Sequence, residues 1–191
     1  MKLILGSSSK WRKEILENAG YKFDIMEADI NEKAIRSDNY ELLPLLIARA
    51  KAKPLLKKIK QPSILVTSDQ VVVCEGELRE KPKDTQEAQR FLESYSVHPV
   101  QSITAVVVTN TVTQEKVEGV DIAEVHFKKI PQKVIEKFIK DGIAFTCAGG
   151  FAVNHSLLKP FVERIDGNRD SVIGLPMGLT MKLLEESSYS S

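Results

Sequence analysis

The stretch Ile64-Leu65-Val66-Thr67-Ser68-Asp69-Gln70-Val71-Val72-Val73 decides how this chain is read. It is apolar, rich in β-branched residues and long enough for a strand buried on both faces. One carboxylate, Asp69, stands in its middle. A bare charge away from water is very costly, so Asp69 needs either a partner or a wet opening at that point of the strand. After the turn signal at Glu75-Gly76 comes Lys81-Pro82. A hairpin there would bring the lysine back toward the acid, and the stretch alone leaves open a structural Asp–Lys pair or a functional one.

The bulk properties narrow the class. A chain of 191 residues with a formal net charge of +1 is expected to form one domain, over residues 1–186, with a core of its own. Balanced charge gives no sign of nucleic acid or a membrane surface as partner. Cys74 and Cys147 make neither a disulfide framework nor a metal cluster and read as small packed hydrophobes. No apolar run approaches a membrane span. Met1 to Leu5 is too short for a signal peptide, and a reducing, cytoplasmic compartment is expected. The serine-rich tail, residues 187–191, is expected to fray. His98, His126 and His155 lie far apart with no HExxH spacing, so no metal site is expected on them. The absence of a GxSxG elbow leaves serine-nucleophile hydrolysis without support.

Outward from the central stretch, Lys2 to Leu5 reads as a short strand. Gly6 and three serines lead into a helix carrying Trp11, Ile15, Leu16 and Ala19 at helical spacing, stopped by Gly20. A serine would cap it. Free amides at a helix start attract anions, and serine hydroxyls with Arg12 would add donors for phosphate oxygens. The spacing is not that of a Walker A loop. Residues 21–30 can extend toward the acids Asp29 and Glu32, which are suited to a hard cation such as magnesium. A helix is expected over 40–60, kinked or ended by Pro54. Downstream, Asp84 to Glu87 has capping-box spacing. Strands are expected over 100–109 and 116–127, and a helix from Pro131 to Lys140. The glycines of Cys147 to Val153 read as a close backbone approach leading into a strand, and residues 169–176 as a turn into a last helix.

In this order the pieces resemble the Maf family of nucleoside triphosphate pyrophosphatases. The residues that carry the resemblance are Ser7-Ser8-Ser9-Lys10-Trp11-Arg12, Asp29 to Glu32, Ala48 to Ala52, Ser68-Asp69-Gln70, Glu80-Lys81-Pro82, Ala148-Gly149, Val162 to Gly167 and Val172 to Pro176. The resemblance implies an α/β fold of Maf and ITPase-like kind: a mixed twisted sheet with flanking helices, in two lobes around a central cleft. It also implies a homodimer and hydrolysis of a nucleoside triphosphate to monophosphate and diphosphate with a divalent cation (Mg2+, Mn2+ or Co2+). By matching position, Asp69 would be the base that activates water. Ser7, Ser9, Arg12, Lys51 and Lys81 would grip phosphate, and Glu32 with Asp69 would hold the metal.

Trp11 before the motif arginine and Gln70 after the acid resemble the branch that acts on 7-methyl-GTP, rather than the branch that acts on dTTP and UTP. A methylated, cationic guanine stacks well on indole, Gln70 can donate and accept toward a base edge, and Asn154 lies where related sequences vary with substrate. The alternatives are a pyrophosphatase preferring dTTP, UTP or CTP, and a non-catalytic nucleotide-binding regulator of cell division.

Overall fold

The computed structural model describes residues 1–187. Seven strands are present among them: β1 (Lys2–Leu5), β2 (Asp24–Ile25), β3 (Ser63–Cys74), β4 (Glu77–Leu78), β5 (Val100–Asn110), β6 (Lys116–Phe127) and β7 (Val162–Asp166). They form one sheet in the order β2-β1-β3-β5-β6-β7, with β4 on β3. The sheet is mixed: β1 runs parallel to β2 and β3, while β4 on β3 and β7 on β6 are antiparallel. Six helices accompany it: α1 (Lys10–Asn18), α2 (Leu42–Lys58), α3 (Thr85–Ser94), α4 (Gln132–Lys140), α5 (Arg169–Ile173) and α6 (Met177–Glu186). This is the expected α/β class. Among the described residues no helix is long and apolar enough to cross a membrane.

The chain divides into two compact units, and β3, β5 and β6 each contribute residues to both. The first unit holds residues 1–69, 104–121 and those from 174 on. Its core joins Leu3 and Leu5 of β1, Leu16 of α1, Ile64 and Val66 of β3, Val106 and Val108 of β5, and Leu183 and Leu184 of α6. The alternate residues Ile4 and Leu65 pack on the opposite face with Ala52 and Leu55 of α2. Period-two alternation with both faces covered is why β3 reads as a continuous apolar run. Gly6, just past β1, has no room for a side chain: a Cβ there would lie 2.6 Å from the Thr67 methyl and 2.7 Å from a Leu55 methyl.

The second unit holds residues 70–103 and 122–173. Its core is aromatic: Tyr95, Phe127 and Phe151 pack with ring centroids 5.4–6.1 Å apart. Helix α3 begins as expected, with Asp84 Oδ1 accepting from the Glu87 amide at 2.8 Å. Glu87 reaches back one residue further, to the amide of Lys83. Arg79 is fully buried here, its guanidinium over the rings of Phe91 and Tyr95 and paired with Glu75 and Glu77.

Four local expectations need correction. Of the two outcomes expected at Pro54, a kink or an end, the end is excluded: helix α2 runs through it to Lys58, where Leu55, buried against β1 and β3 side chains, holds the last turn on the sheet. The segment from Cys147 does not lead into a strand. It coils as short 3-10 turns at 143–146 and 148–150, with Gly149 and Gly150 both at positive φ. Residues 169–173 are helical, not only a turn. Ser187 is not frayed: it is buried, donates its hydroxyl to Leu184 O, and accepts from the Asn110 amide with its carbonyl. The remainder of that expected frayed tail, residues 188–191, lies outside the described residues.

Gly149 is a position where backbone freedom decides packing. Its φ is +67°, and a Cβ would meet Val72 Cγ1 at 2.6 Å and the Tyr95 hydroxyl at 3.0 Å. Its carbonyl accepts from that hydroxyl at 2.7 Å. Gly149→Ala combines left-handed strain with overpacking and is expected to lower stability by about 2–4 kcal/mol. Urea denaturation of the two proteins measures it, and a loss under 1 kcal/mol would contradict the packing.

Candidate functional site

Six of the residues singled out from the sequence come together in the first unit. The loop after β1 supplies Ser7 and Ser9. Ser9 caps α1, its Oγ accepting from the Arg12 amide, while its own amide donates to Ser7 Oγ at 3.2 Å. The serines are thus occupied in shaping the helix start, and their hydroxyl protons remain to be directed at a ligand. Arg12, one turn into α1, is aimed by two backbone carbonyls: Nε donates to Gly174 O and Nη1 to Ser68 O, each at 2.8 Å. Nη1 also reaches Ser7 Oγ at 3.4 Å. Ser68 Oγ donates to the same Gly174 carbonyl at 3.1 Å. One arginine therefore ties the β1–α1 loop, the centre of β3 and the turn before α6.

Asp69 is next on β3, only 7% exposed, and Lys51 of α2 faces it at 8% exposure. Lys51 Nζ lies 2.6 Å from Asp69 Oδ1 and 3.1 Å from Glu32 Oε1. Glu32 opens a 3-10 turn, 32–34, and is half exposed. Helix α2 is placed for this by Thr67, whose Oγ1 donates to Ala48 O at 2.9 Å one turn before Lys51. The lone acid of the central strand has its partner, and the partner is Lys51.

The electrostatics are finely opposed. Burial pushes the Asp69 carboxyl above its ordinary range, and this outweighs the charges of Lys51 and Arg12, which pull it down; Glu32 adds to the rise. Burial pulls Arg12 down, against the attraction of Asp69 and Glu32. At Asp69 desolvation thus outweighs the nearby cations.

The acid pair suits a hard cation in its chemistry. Of the four carboxylate oxygens of Glu32 and Asp69, Lys51 takes one from each, and oxygen donors of this kind fit Mg2+ or Mn2+. Trp11 is on the same helix start, 39% exposed, with Lys10 Nζ 5.6 Å from its ring centroid. It is a surface indole that already carries a cation on its face, not a core residue.

The other three residues lie in the second unit. Gln70 does not present a free amide. Its Nε2 donates to Ser102 Oγ and to the carbonyls of Ser171 and Val172, at 3.0 and 2.8 Å. What it keeps is an acceptor. Asn154 is the converse: Oδ1 accepts two bonds from Arg169, at 2.9 and 2.7 Å, leaving its amide hydrogens. Lys81 follows the short β3–β4 hairpin, which pairs only Val73 with Leu78 and Cys74 with Glu77; its charge is felt by Cys147 in the same unit.

Two groups of the first unit have no assignment from the sequence. Gly174, inside the stretch Val172 to Pro176, contributes a carbonyl that no side-chain pattern reveals. Arg49, beside Lys51 in sequence, forms a two-pronged pair with Glu118 of β6, with Nε to Oε2 at 2.8 Å. That pair holds the Glu118 carboxyl below its ordinary range. Arg49 falls inside the stretch Ala48 to Ala52, but nothing in sequence pointed to Glu118.

The family model described as Maf-like protein matches residues 2–187. A 7-methyl-GTP pyrophosphatase of Dictyostelium discoideum is 47% identical over 97% of this chain and 97% of its own length. A dTTP/UTP pyrophosphatase of Vibrio vulnificus (strain YJ016) is 38% identical over 97% and 98%. A 7-methyl-GTP pyrophosphatase of Idiomarina loihiensis is 34% identical over 91% and 88%. Matched over residues 2–187 by the family model and over 97% of its length by relatives of this similarity, the chain belongs to the Maf-like family.

Proposed function

We propose that this chain hydrolyses 7-methyl-GTP to 7-methyl-GMP and diphosphate by attack of water at the α-phosphate. At the coarser level it is an enzyme, a Maf-family nucleoside triphosphate pyrophosphatase. The observation that supports the mechanism is the buried Asp69 carboxylate, 2.6 Å from Lys51 and beside the anchored Arg12. A carboxyl raised above its ordinary range is a stronger base for a water proton than a free aspartate. Arg12, Lys51 and the hydroxyls of Ser7 and Ser9 offer donors to a triphosphate, which carries about four negative charges. Lys81 is proposed to add to that grip. Glu32 and Asp69 would hold a divalent cation, which when bound supplies charge neutralisation on the phosphate oxygens.

Trp11 supports the choice of base. An indole face exposed at the helix start and already visited by an ammonium group suits a cationic, N7-methylated ring. The 47% identity to a 7-methyl-GTP pyrophosphatase, against 38% to a dTTP/UTP pyrophosphatase, points the same way. The pyrimidine reading has that second relative in its favour. A regulator without turnover would need phosphate donors but no desolvated acid among them.

The substrate reading is tested by diphosphate release across 7-methyl-GTP, GTP, UTP, dTTP and CTP. The expected order puts 7-methyl-GTP first in kcat/KM; a pyrimidine leading would transfer the assignment to the second reading. Trp11→Ala should cost 7-methyl-GTP roughly 2- to 30-fold more than UTP, the range of one cation–π contact. Equal losses would remove Trp11 from base recognition.

Asp69→Asn should lower kcat by about 10²–10⁴-fold. Because the folded pKa of Asp69 is raised, the folded state binds its proton more tightly than the unfolded chain does. Stability is therefore lost as pH rises from the ordinary carboxylate range through the folded pKa. Asp69→Asn escapes this loss, so its melting temperature relative to the parent should improve as pH rises from the ordinary carboxylate range. A parent and variant that track each other would show that Asp69 is not desolvated.

Lys51→Met removes the largest influence holding that pKa down. The acid limb of kcat/KM against pH should move to higher pH, beyond any uniform drop in rate. An unmoved limb would dissociate the limb from Asp69.

A further inference from the structure

The antiparallel pair β6–β7 carries a group of side chains that the phosphate-gripping residues do not include. Its register sets Glu124 opposite Asp166 and His126 opposite Arg164. Residues two apart on a strand share a face, so all four side chains stand together, while Val125 and Ile165 between them turn to the aromatic core. Two carboxylates directly opposite across a ladder repel one another, and the arrangement calls for a cation.

His126 is where they converge. Its Nε2 lies 2.8 Å from Glu124 Oε1 and 3.0 Å from Asp166 Oδ2. Arg164 Nη2 approaches the same nitrogen at 3.1 Å while its Nε donates to Asp166. No protonation state of the ring satisfies all three neighbours. With a hydrogen on Nε2 the ring serves the carboxylates but meets the guanidinium donor head on. With a lone pair there it accepts from Arg164 but faces two anionic oxygens. A metal ion resolves the conflict, because it accepts the lone pair and both oxygens at once. For bonds of about 2.0–2.2 Å at angles near 90–109°, ligand atoms on one ion stand roughly 2.8–3.6 Å apart. Both measured separations from Nε2 fall in that range, and the three ligand atoms lie within 4.8 Å of one another.

We propose that Glu124, His126 and Asp166 bind a divalent first-row transition-metal ion of the zinc class. An imidazole with two carboxylates favours such an ion over Mg2+, which seeks an all-oxygen shell. Arg164, more than half exposed, stands in as the cation until the ion arrives and then swings to solvent. Glu124 also lines a pocket of about 250 Å3 with Glu75, His98 and Gln101, so one of the three ligands borders open space. The ion would tie β7 to β6 at the end of the second unit's sheet.

Chelator-treated full-length protein is titrated with Zn2+ by equilibrium dialysis, with Co2+ as a visible-absorption probe. His126→Ala should lose one equivalent of tight Zn2+. Its affinity at that site should fall beyond the roughly 10–100-fold seen when only an outer-shell partner is removed. Arg164→Gln, which removes the competing cation, should bind Zn2+ several-fold tighter than the parent. Zn2+ should raise the melting temperature of the parent but not of a folded His126→Ala. Diphosphate release with Mg2+ should be unchanged in His126→Ala, so this test stands apart from the proposed hydrolysis. Retention of every Zn2+ equivalent by His126→Ala, or no tightening in Arg164→Gln, would reduce the cluster to an ion-pair network and overturn the proposal.

Discussion

The contact between Lys51 Nζ and Asp69 Oδ1, at 2.6 Å and nearly out of water, is the constraint around which the first unit is arranged. Stripping water from two charges costs several kcal/mol per ion, and the attraction between them repays this only with good geometry. The surroundings supply that geometry. Thr67 fixes α2 one turn before Lys51, and Glu32 Oε1 adds a second negative charge 3.1 Å from the ammonium. A well-packed apolar pair in the same place would often be as stable or more so, by about 1–4 kcal/mol. Stability alone therefore gives no reason for an acid at position 69. The proposed chemical task would give one, because desolvation makes a carboxyl a stronger base than a free aspartate.

Arg12 plays a complementary part. Its guanidinium spends two of its N–H groups on the carbonyls of Ser68 and Gly174, and that bonding leaves its planar head pre-aimed. A flexible cation would lose rotamer entropy on meeting a phosphate; one already held by three segments of chain loses less. The carbonyl of Ser68 precedes Asp69 directly, so the arginine proposed to grip phosphate and the candidate base share one stretch of β3 backbone.

Much of this was legible in the sequence, for reasons that differ by residue. β3 was visible because both of its faces are covered, and Asp69 because an acid violates that pattern. The helix start at Ser9 was visible because capping chemistry is local, and the order of short motifs gave the family. What escaped was whatever depends on contacts distant in the chain. Asp69 was first paired with Lys81, which is near in sequence and follows a hairpin. The structure pairs it with Lys51, eighteen residues upstream on a helix. Gly174 acts through its carbonyl, which every residue possesses. Glu118 and the Glu124–His126–Asp166 group exist only through strand register, and one residue of slip would scatter them to opposite faces.

Hydrogen-bond use bears on how a base would be chosen. Gln70 has committed its amide hydrogens to the protein and Asn154 its carbonyl oxygen, so neither retains the full donor–acceptor pair that reads a base edge in two places. One-sided contacts discriminate weakly among bases, since a single acceptor or a single donor finds a match on most of them. Ring charge is a different criterion. N7 methylation leaves the size of guanine nearly unaltered but gives it a positive charge, and an aromatic face responds to that charge without any donor pattern. On the proposed reading, selectivity then rests on the exposed indole of Trp11, and the polar residues set orientation. Such a site would tolerate many nucleobases at low rate and favour a cationic one, because the attraction grows as water is displaced from between the two rings.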